Sequence, residues 1–115
     1  DSILIQKAKQ ASQIFKPKNV SDHLPKIFFG KIATGDMFVN NTNKAKQLYA
    51  EHGAYATEME GAAIAQVAYH RKVAFLIIRS CSDNANSGAA LDFMQFLKPA
   101  AGNAVSLLTE ILDLI

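Results

Sequence analysis

Three carboxylates are spaced along this chain where α/β proteins place ligand-binding groups. Glu58 and Glu60 stand two residues apart, just ahead of a predicted helix, and Asp83 follows a continuous apolar run over residues 73–78. In open α/β sheets, the carboxyl ends of the strands and the first turns of the following helices line the ligand crevice. Carboxyl groups in such a crevice can transfer protons or accept strong hydrogen bonds. We therefore predict that the three side chains share one site.

A purely structural role for the two glutamates is the alternative. Negative charges at a helix N-terminus typically stabilise the helix by about 0.3–1 kcal/mol and require no function. Positions two apart do not share a helix face, so Glu58 and Glu60 cannot both be solvated if Met59 and residues 62–64 pack inward. We expect at least one of the two carboxylates to point into a cleft.

The pattern of apolar residues predicts alternating helices and strands, and hence an α/β fold. Asp1 and Ser2 can cap a first helix that Pro17 ends. Residues 73–78 are apolar at every position and are expected to form a strand buried on both faces. The other predicted elements are a strand over residues 27–34, a surface helix over 40–51, a short strand over 55–57, a closely packed helix over 60–71 and a terminal helix over 91–115.

The composition excludes several classes of function. Half of the 115 residues are apolar, enough to build a core, in which we place Phe28, Phe29 and Phe75. The net charge of +2 is small and the basic residues are scattered, so nucleic-acid binding is not indicated. No apolar run reaches the ~18 residues that a membrane span requires. A cytoplasmic protein is therefore expected.

The single cysteine and the three histidines do not indicate a metal site. Cys81 cannot form an internal disulfide, suits a reducing compartment and is expected to pack beside the strand. His23, His52 and His70 lie far apart, and no metal-ligand spacing links them to one another or to Cys81. The sequence also contains neither a Walker-type loop nor a dinucleotide-binding glycine motif. We predict that no metal and no cofactor are required.

Taken together, three spaced motifs resemble the second half of the bacterial 5′-methylthioadenosine/S-adenosylhomocysteine nucleosidases, in the purine nucleoside phosphorylase superfamily. The motifs are Thr34-Gly35-Asp36-Met37-Phe38-Val39-Asn40, Glu58-Met59-Glu60-Gly61 and Arg79-Ser80-Cys81-Ser82-Asp83-Asn84-Ala85-Asn86. The resemblance implies a three-layer fold with a mixed central sheet flanked by helices. It also implies that residues 1–115 are the C-terminal portion of a single nucleosidase domain. The family's water-activating glutamate would then lie in the other half, and this segment alone would be inactive.

The resemblance assigns roles to the acidic residues and their neighbours. Asp83 is expected to protonate the purine leaving group, and Glu60 to bind the ribose hydroxyls while adding negative charge beside the developing cation. The backbone of Met59 would line the ribose, and Glu58 would support the substrate site. Arg79, at the end of so apolar a run, is expected to pair with a carboxylate of this cluster.

Recognition of the base is expected to combine aromatic stacking with main-chain hydrogen bonds. Phe38 would stack on the purine, and Val39 would read the adenine edge through its backbone. Phe93 is placed to close over the base, although a core position is equally compatible with the sequence. Ser82, next to Asp83, completes the predicted substrate-binding set.

The function implied by the resemblance is hydrolysis of 5′-methylthioadenosine and S-adenosylhomocysteine to adenine and the thio-sugar, in methionine salvage. The full-length enzyme would be a homodimer and would bind neither nucleic acid nor membrane. Two alternatives remain open at this point. One is a phosphorylase of the same superfamily, which would use phosphate instead of water, and the other is a catalytically inactive adenosine-binding or assembly module.

Overall fold

Six helices and strands follow one another in the described part of the chain, and local sequence signals explain where several of them begin and end. In the computed structural model, which describes residues 1–20, 24–81 and 89–115, the elements are α1 (Ser2–Ile14), β1 (Lys31–Thr34), α2 (Thr42–His52), β2 (Ala54–Glu58), α3 (Gly61–His70) and α4 (Ala89–Leu112). The predicted α/β class is confirmed.

The first two helices begin and end at the residues that helix-capping rules favour. The Asp1 carboxylate accepts hydrogen bonds from the Ile3 and Leu4 amides and so caps α1. Asn41 caps α2 in the same way, and α2 ends at Gly53, whose φ of 67° lies in the left-handed region that glycine adopts without strain. Pro99, by contrast, lies inside α4 rather than at its start.

The two strands are parallel and belong to one βαβ unit, with α2 as the connection. Within the described residues they form a two-stranded sheet that pairs Thr34 with Glu58 and Lys31 with Ala54, with an irregularity after Lys31. Because the strands run in the same direction, their carboxyl ends lie side by side. Thr34 ends β1, Glu58 ends β2, and α3 begins three residues after Glu58.

The strand predicted over residues 73–78 is not found. In the described part of the chain these residues have neither helical nor strand structure, and residues 75–78 are only half-buried. A strand requires a ladder of hydrogen bonds to a neighbour, and apolar composition alone does not supply one. Two of these side chains, Leu76 and Ile78, instead pack against the small core formed by Ala8, Ala11 and Ile111 where α1 meets α4.

The prediction that Phe28 and Phe29 belong to the core is also wrong. Phe28 is 71% exposed and Phe29 is 44% exposed. Both line an open apolar cleft of about 1130 Å³, next to Tyr55 and Leu76. The Phe28 and Tyr55 rings are perpendicular, with their centres 6.3 Å apart, and the Lys9 ammonium lies 5.7 Å from the Phe29 ring centre. Both phenylalanines therefore have a neighbouring side chain at the cleft surface without being buried.

The expected close packing of α3 does not occur within the described residues either. Ile64, Val67 and Tyr69 are 58%, 63% and 77% exposed. Small side chains permit close packing, but they do not provide the opposing surface that burial requires.

None of the helices in the described ranges combines the length and apolarity needed to cross a membrane.

Candidate active site

The ends of the two parallel strands and the start of α3 meet in one hydrogen-bonded cluster. The Thr34 hydroxyl, at the end of β1, donates to Oε1 of Glu58, at the end of β2. The same hydroxyl accepts a 3.0 Å bond from the Ala62 amide in the first turn of α3. A main-chain bond of 3.0 Å from the Gly35 amide to the Glu58 carbonyl also ties the two strand ends together.

The second oxygen of the Glu58 carboxylate binds the start of α3 directly. Oε2 accepts a bond of 3.0 Å from the Glu60 amide and one of 2.7 Å from the Gly61 amide. A helix leaves its first amides without partners inside the helix, and these two are among them. Glu58 is therefore a capping carboxylate for α3, even though it lies in the preceding strand.

The protonation of Glu58 follows from these contacts. The side chain is buried, with 7% of the residue exposed. Burial by itself would raise the pKa of Glu58. Hydrogen bonds from the Thr34 hydroxyl and the Glu60 and Gly61 amides, together with the positive charge of Arg79, outweigh burial and hold the pKa below its usual value of 4.5. Glu58 is consequently ionised at neutral pH.

Gly61 permits this close approach of the carboxylate to the helix. A Cβ atom at position 61 would lie 2.8 Å from Oε1 of Glu58 and 3.1 Å from its Cδ. These distances are shorter than ordinary van der Waals contact, so any larger residue would displace the carboxylate. Glycine at the first position of α3 is therefore explained by the Glu58 contact.

Glu60 differs from Glu58 in every respect that matters for a ligand. It occupies the N-cap position of α3, but its side chain makes no capping hydrogen bond. Its Oε2 lies 3.4 Å from Nη2 of Arg79, and 64% of the Glu60 side chain and 43% of the Arg79 side chain are exposed. Ion pairs as exposed as this one are typically worth no more than about 1 kcal/mol. The Glu60 carboxylate is thus oriented by Arg79 and still accessible to solvent.

The residues predicted to bind the base and the ribose lie on the loops that leave the two strands. Phe38 and Val39 belong to the segment between β1 and α2, whereas Met59 links β2 to α3. Phe38 and Met59 are each 42% exposed, and Val39 is half-buried. These loops begin at the paired strand ends, so they start at the same edge of the sheet as Glu60.

Three predicted site residues cannot be placed. Ser82, Asp83 and the side chain of Phe93 lie outside the described part of the structure. Arg79, which precedes them, pairs with Glu60, in agreement with the expectation that it would find a carboxylate of this cluster. Cys81 is exposed, so the expected packing role for its thiol is wrong.

Sequence reasoning missed the part played by Thr34. The residue belongs to a recognised motif, yet its partner Glu58 lies 24 residues away and Ala62 lies 28 residues away. A usable signal was present, however. One strand ends at a threonine, and the next strand ends at an acidic residue three positions before a glycine that begins a helix. Together the threonine and the acidic residue supply the donors and acceptors that a shared cap requires.

Within residues 1–20, 24–81 and 89–115, no group of three or more His, Cys, Asp or Glu side chains could hold a metal ion. His52 and His70 are both exposed, and His52 lies 3.8 Å from Glu51, its neighbour in sequence. Among the described residues, the charged side chains that contact or influence one another at the strand ends are Glu58, Glu60 and Arg79.

Fold and site together define an α/β protein with a cluster of charged side chains at the carboxyl ends of two parallel strands. The chain belongs to the phosphorylase superfamily, because the model of that family matches residues 1–113. This family membership agrees with the resemblance found in the three motifs. The individual relatives, which include nucleosidases, confirm that resemblance.

Three similar proteins represent those relatives. A Shewanella denitrificans 5′-methylthioadenosine/S-adenosylhomocysteine nucleosidase is 38% identical over 96% of this chain, which corresponds to 47% of that protein. A mutant of the Helicobacter pylori nucleosidase, with 5′-methylthioadenosine in its active site, superposes with a TM-score of 0.87 at 30% identity, over 100% of this chain and 46% of its own. Futalosine hydrolase of Helicobacter pylori gives a TM-score of 0.84 at 32% identity, over 97% and 45%. The chain thus spans about half the length of the proteins it matches.

Proposed function

We propose that the full-length protein containing this chain hydrolyses the N-glycosidic bond of 5′-methylthioadenosine and S-adenosylhomocysteine. The observation that carries the proposal is the exposed Glu60 carboxylate, held beside Arg79 at the carboxyl ends of two parallel strands. Membership of the phosphorylase superfamily and the nucleosidase names of the relatives support the choice of reaction. Residues 1–115 would form the C-terminal portion of one nucleosidase domain.

The chemistry requires two acidic groups with different tasks. Cleavage of an N-glycosidic bond leaves an oxocarbenium-like sugar and an electron-rich purine, which is a poor leaving group unless a ring nitrogen is protonated. Asp83 is the proposed proton donor, and its pKa must lie above the ~3.9 of a free aspartate to serve near neutral pH. Glu60 remains ionised, accepts hydrogen bonds from the ribose hydroxyls and stabilises the positive charge that develops on the sugar.

Arg79 has an orienting task in this scheme. Its guanidinium lies 3.4 Å from Glu60 Oε2, which leaves the other carboxylate oxygen to face the ribose. The pair is exposed in this chain, so it can exchange a contact with water for one with a sugar hydroxyl at little cost. The main chain of Met59, directly before Glu60, is proposed to line the same sugar.

Phe38 and Val39 are proposed to recognise the adenine. The partly exposed Phe38 ring offers an apolar face on which a purine can stack. Val39 would read the adenine edge with its main-chain groups, so its side chain need only be apolar. Ser82 and Phe93 complete the proposed substrate site, and Glu58 supports it. Because the site would expect an amine at the purine 6-position, 6-oxo purine nucleosides should be rejected.

The remaining parts of the enzyme are proposed from the family resemblance. A water-activating glutamate is expected in the other half of the domain, so the isolated 115-residue segment should release no adenine. The full-length protein is proposed to be a cytoplasmic homodimer that acts in methionine salvage. Sedimentation velocity would measure the oligomeric state, and a monomer at micromolar concentration would refute the proposed homodimer.

Adenine release by the full-length protein tests the proposed function. Wild-type protein should release adenine from 5′-methylthioadenosine, and Glu60→Gln should raise KM and lower kcat because a charged acceptor for the ribose is lost. Glu51→Gln is the matched control, since Glu51 is an exposed glutamate on α2 that contacts Gln47 and His52, away from the site. Equal activity of the Glu60→Gln and Glu51→Gln proteins would contradict the assignment.

Futalosine is the competing candidate substrate, because futalosine hydrolase matches this chain with a TM-score of 0.84. Its base is a 6-oxo purine, so the proposed recognition of the adenine amine predicts that futalosine is rejected. The assay should therefore follow release of the purine base from both compounds at equal concentration. A higher kcat/KM for futalosine than for 5′-methylthioadenosine would contradict the proposed amine recognition and change the substrate assignment, without changing the reaction class.

A further inference from the structure

The Thr34 hydroxyl is the point at which both strand ends and α3 are joined. It donates to Glu58 Oε1 and accepts from the Ala62 amide, so its donor and its acceptor functions are both used. Glu58 in turn accepts from the Glu60 and Gly61 amides. Three successive amides at the start of α3 are thereby satisfied within the chain, and they are not available to bind a ligand anion.

We propose that Thr34 and Glu58 are positioning residues that act through Glu60 rather than substrate ligands. The proposal deepens the proposed function and rests on it. Both oxygens of Glu58 are engaged by donors of this chain, and only 7% of the residue is exposed, which leaves little room for a direct substrate contact. Its bond to the Glu60 amide instead fixes the backbone that carries the exposed Glu60 carboxylate.

The arrangement predicts which part of the substrate is affected when the cluster is broken. The clamp formed by Thr34 and Glu58 holds residues 60–62, and Glu60 is the group proposed to face the ribose. The proposed adenine contacts lie instead on the loop that carries Phe38 and Val39. This loop is tied to β2 by the main-chain hydrogen bond from the Gly35 amide to the Glu58 carbonyl, which does not involve the Thr34 hydroxyl. Loss of the hydroxyl should therefore weaken binding of the nucleoside while binding of free adenine is retained.

Two substitutions at Thr34 in the full-length protein separate these effects. Thr34→Val keeps the shape but removes the hydroxyl, which leaves the Ala62 amide and an oxygen of Glu58 without this partner. Hydrogen bonds to charged groups are strong enough that kcat/KM for 5′-methylthioadenosine should fall about 10- to 100-fold. The inhibition constant of adenine should change by less than about twofold, because adenine has no ribose. Thr34→Ser retains the hydroxyl and should restore most of the lost activity.

A matched control and a second measurement make the test independent of catalysis. Thr42→Val makes the same chemical change at the exposed first residue of α2 and should leave both constants unaltered. Amide hydrogen exchange at Gly61 and Ala62 should accelerate at least tenfold in Thr34→Val and not in Thr34→Ser. If Thr34→Val does not fold, Glu58→Gln, which keeps the shape of the side chain, provides the same comparison.

The outcomes distinguish failure of this inference from failure of the proposed function. Wild-type protein that releases no adenine would refute the function, whereas faster exchange in Thr34→Val would still support the clamp. Unchanged exchange together with unchanged kcat/KM would refute the positioning role. Equal weakening of nucleoside and adenine binding would show that Thr34 maintains the whole site rather than Glu60, and would also overturn the inference.

Discussion

The contact between Gly61 and Glu58 predicts that Gly61→Ala destabilises the full-length protein, although alanine is the better helix former. The new methyl group would lie 2.8 Å from Glu58 Oε1, so the carboxylate must move and its 2.7 Å bond to the Gly61 amide must lengthen. A hydrogen bond to a charged group contributes about 1.5–3 kcal/mol, against about 1 kcal/mol gained from the higher helix propensity of alanine. The net expectation is a loss of about 0.5–2 kcal/mol in the free energy of unfolding.

Gly102→Ala provides the matched control for this measurement. Gly102 lies inside α4, and a Cβ atom there would meet nothing within 4 Å. The same substitution should therefore stabilise the protein by about 0.5–1 kcal/mol. Urea unfolding at pH 7, followed by circular dichroism, measures both variants. If Gly61→Ala stabilised the protein as much as Gly102→Ala, the close approach of Glu58 to the helix would be refuted.

Three further predictions concern the chemistry of the site in the full-length protein. Asp83→Asn cannot donate a carboxylic proton, so adenine release should fall by about 10²–10⁴ with substrate binding retained, and near-normal turnover would reduce Asp83 to a turn residue. Phe38→Ala should raise KM by the equivalent of about 1–3 kcal/mol through lost stacking, and an unaltered KM would exclude Phe38 from the adenine site. Because the pKa of Glu58 is lowered in the folded state, its stabilising effect is complete above pH 4.5 and is lost as the pH falls through the lower folded-state value. Urea midpoints measured from pH 6 to pH 3 should therefore fall more steeply for wild type than for Glu58→Gln, and parallel profiles would contradict the assigned contacts.

The elements that could be predicted from the sequence are those fixed by neighbouring residues. The caps of α1 and α2 depend on Asp1 and Asn41, each of which accepts from amides two and three residues further on. The parallel strands that frame the site were also expected near their observed positions, although β1 begins at Lys31 rather than at residue 27. Local hydrogen bonding and apolar periodicity are sufficient for such assignments.

The errors arise where structure depends on distant partners. Residues 73–78 have the composition of a buried strand, yet strand formation depends on a hydrogen-bonded neighbour that their own sequence does not specify. Burial of Phe28 likewise requires an opposing surface, and in this chain it faces an open cleft. Large apolar side chains are suited to a core but do not determine what covers them.

In the candidate site, too, the features set by neighbouring residues were predictable and those set by distant partners were not. The acidic pair was identified from its spacing, but the spacing did not show which glutamate is internal and which is accessible. That distinction follows from Thr34, 24 residues before Glu58, and from Arg79, 19 residues after Glu60. Glu58 was expected to support the substrate site, and its contacts suggest how it could do so, by holding the backbone of Glu60.

The most direct test of the central claim is the fate of the sugar when the full-length protein acts on 5′-methylthioadenosine in ¹⁸O-labelled water. Hydrolysis predicts adenine and a methylthioribose that carries one ¹⁸O atom at its anomeric carbon, at a rate that does not depend on added phosphate. Mass spectrometry of the sugar product distinguishes the two possible nucleophiles. Adenine release that requires phosphate and yields an unlabelled sugar 1-phosphate would contradict hydrolysis and establish the phosphorylase alternative.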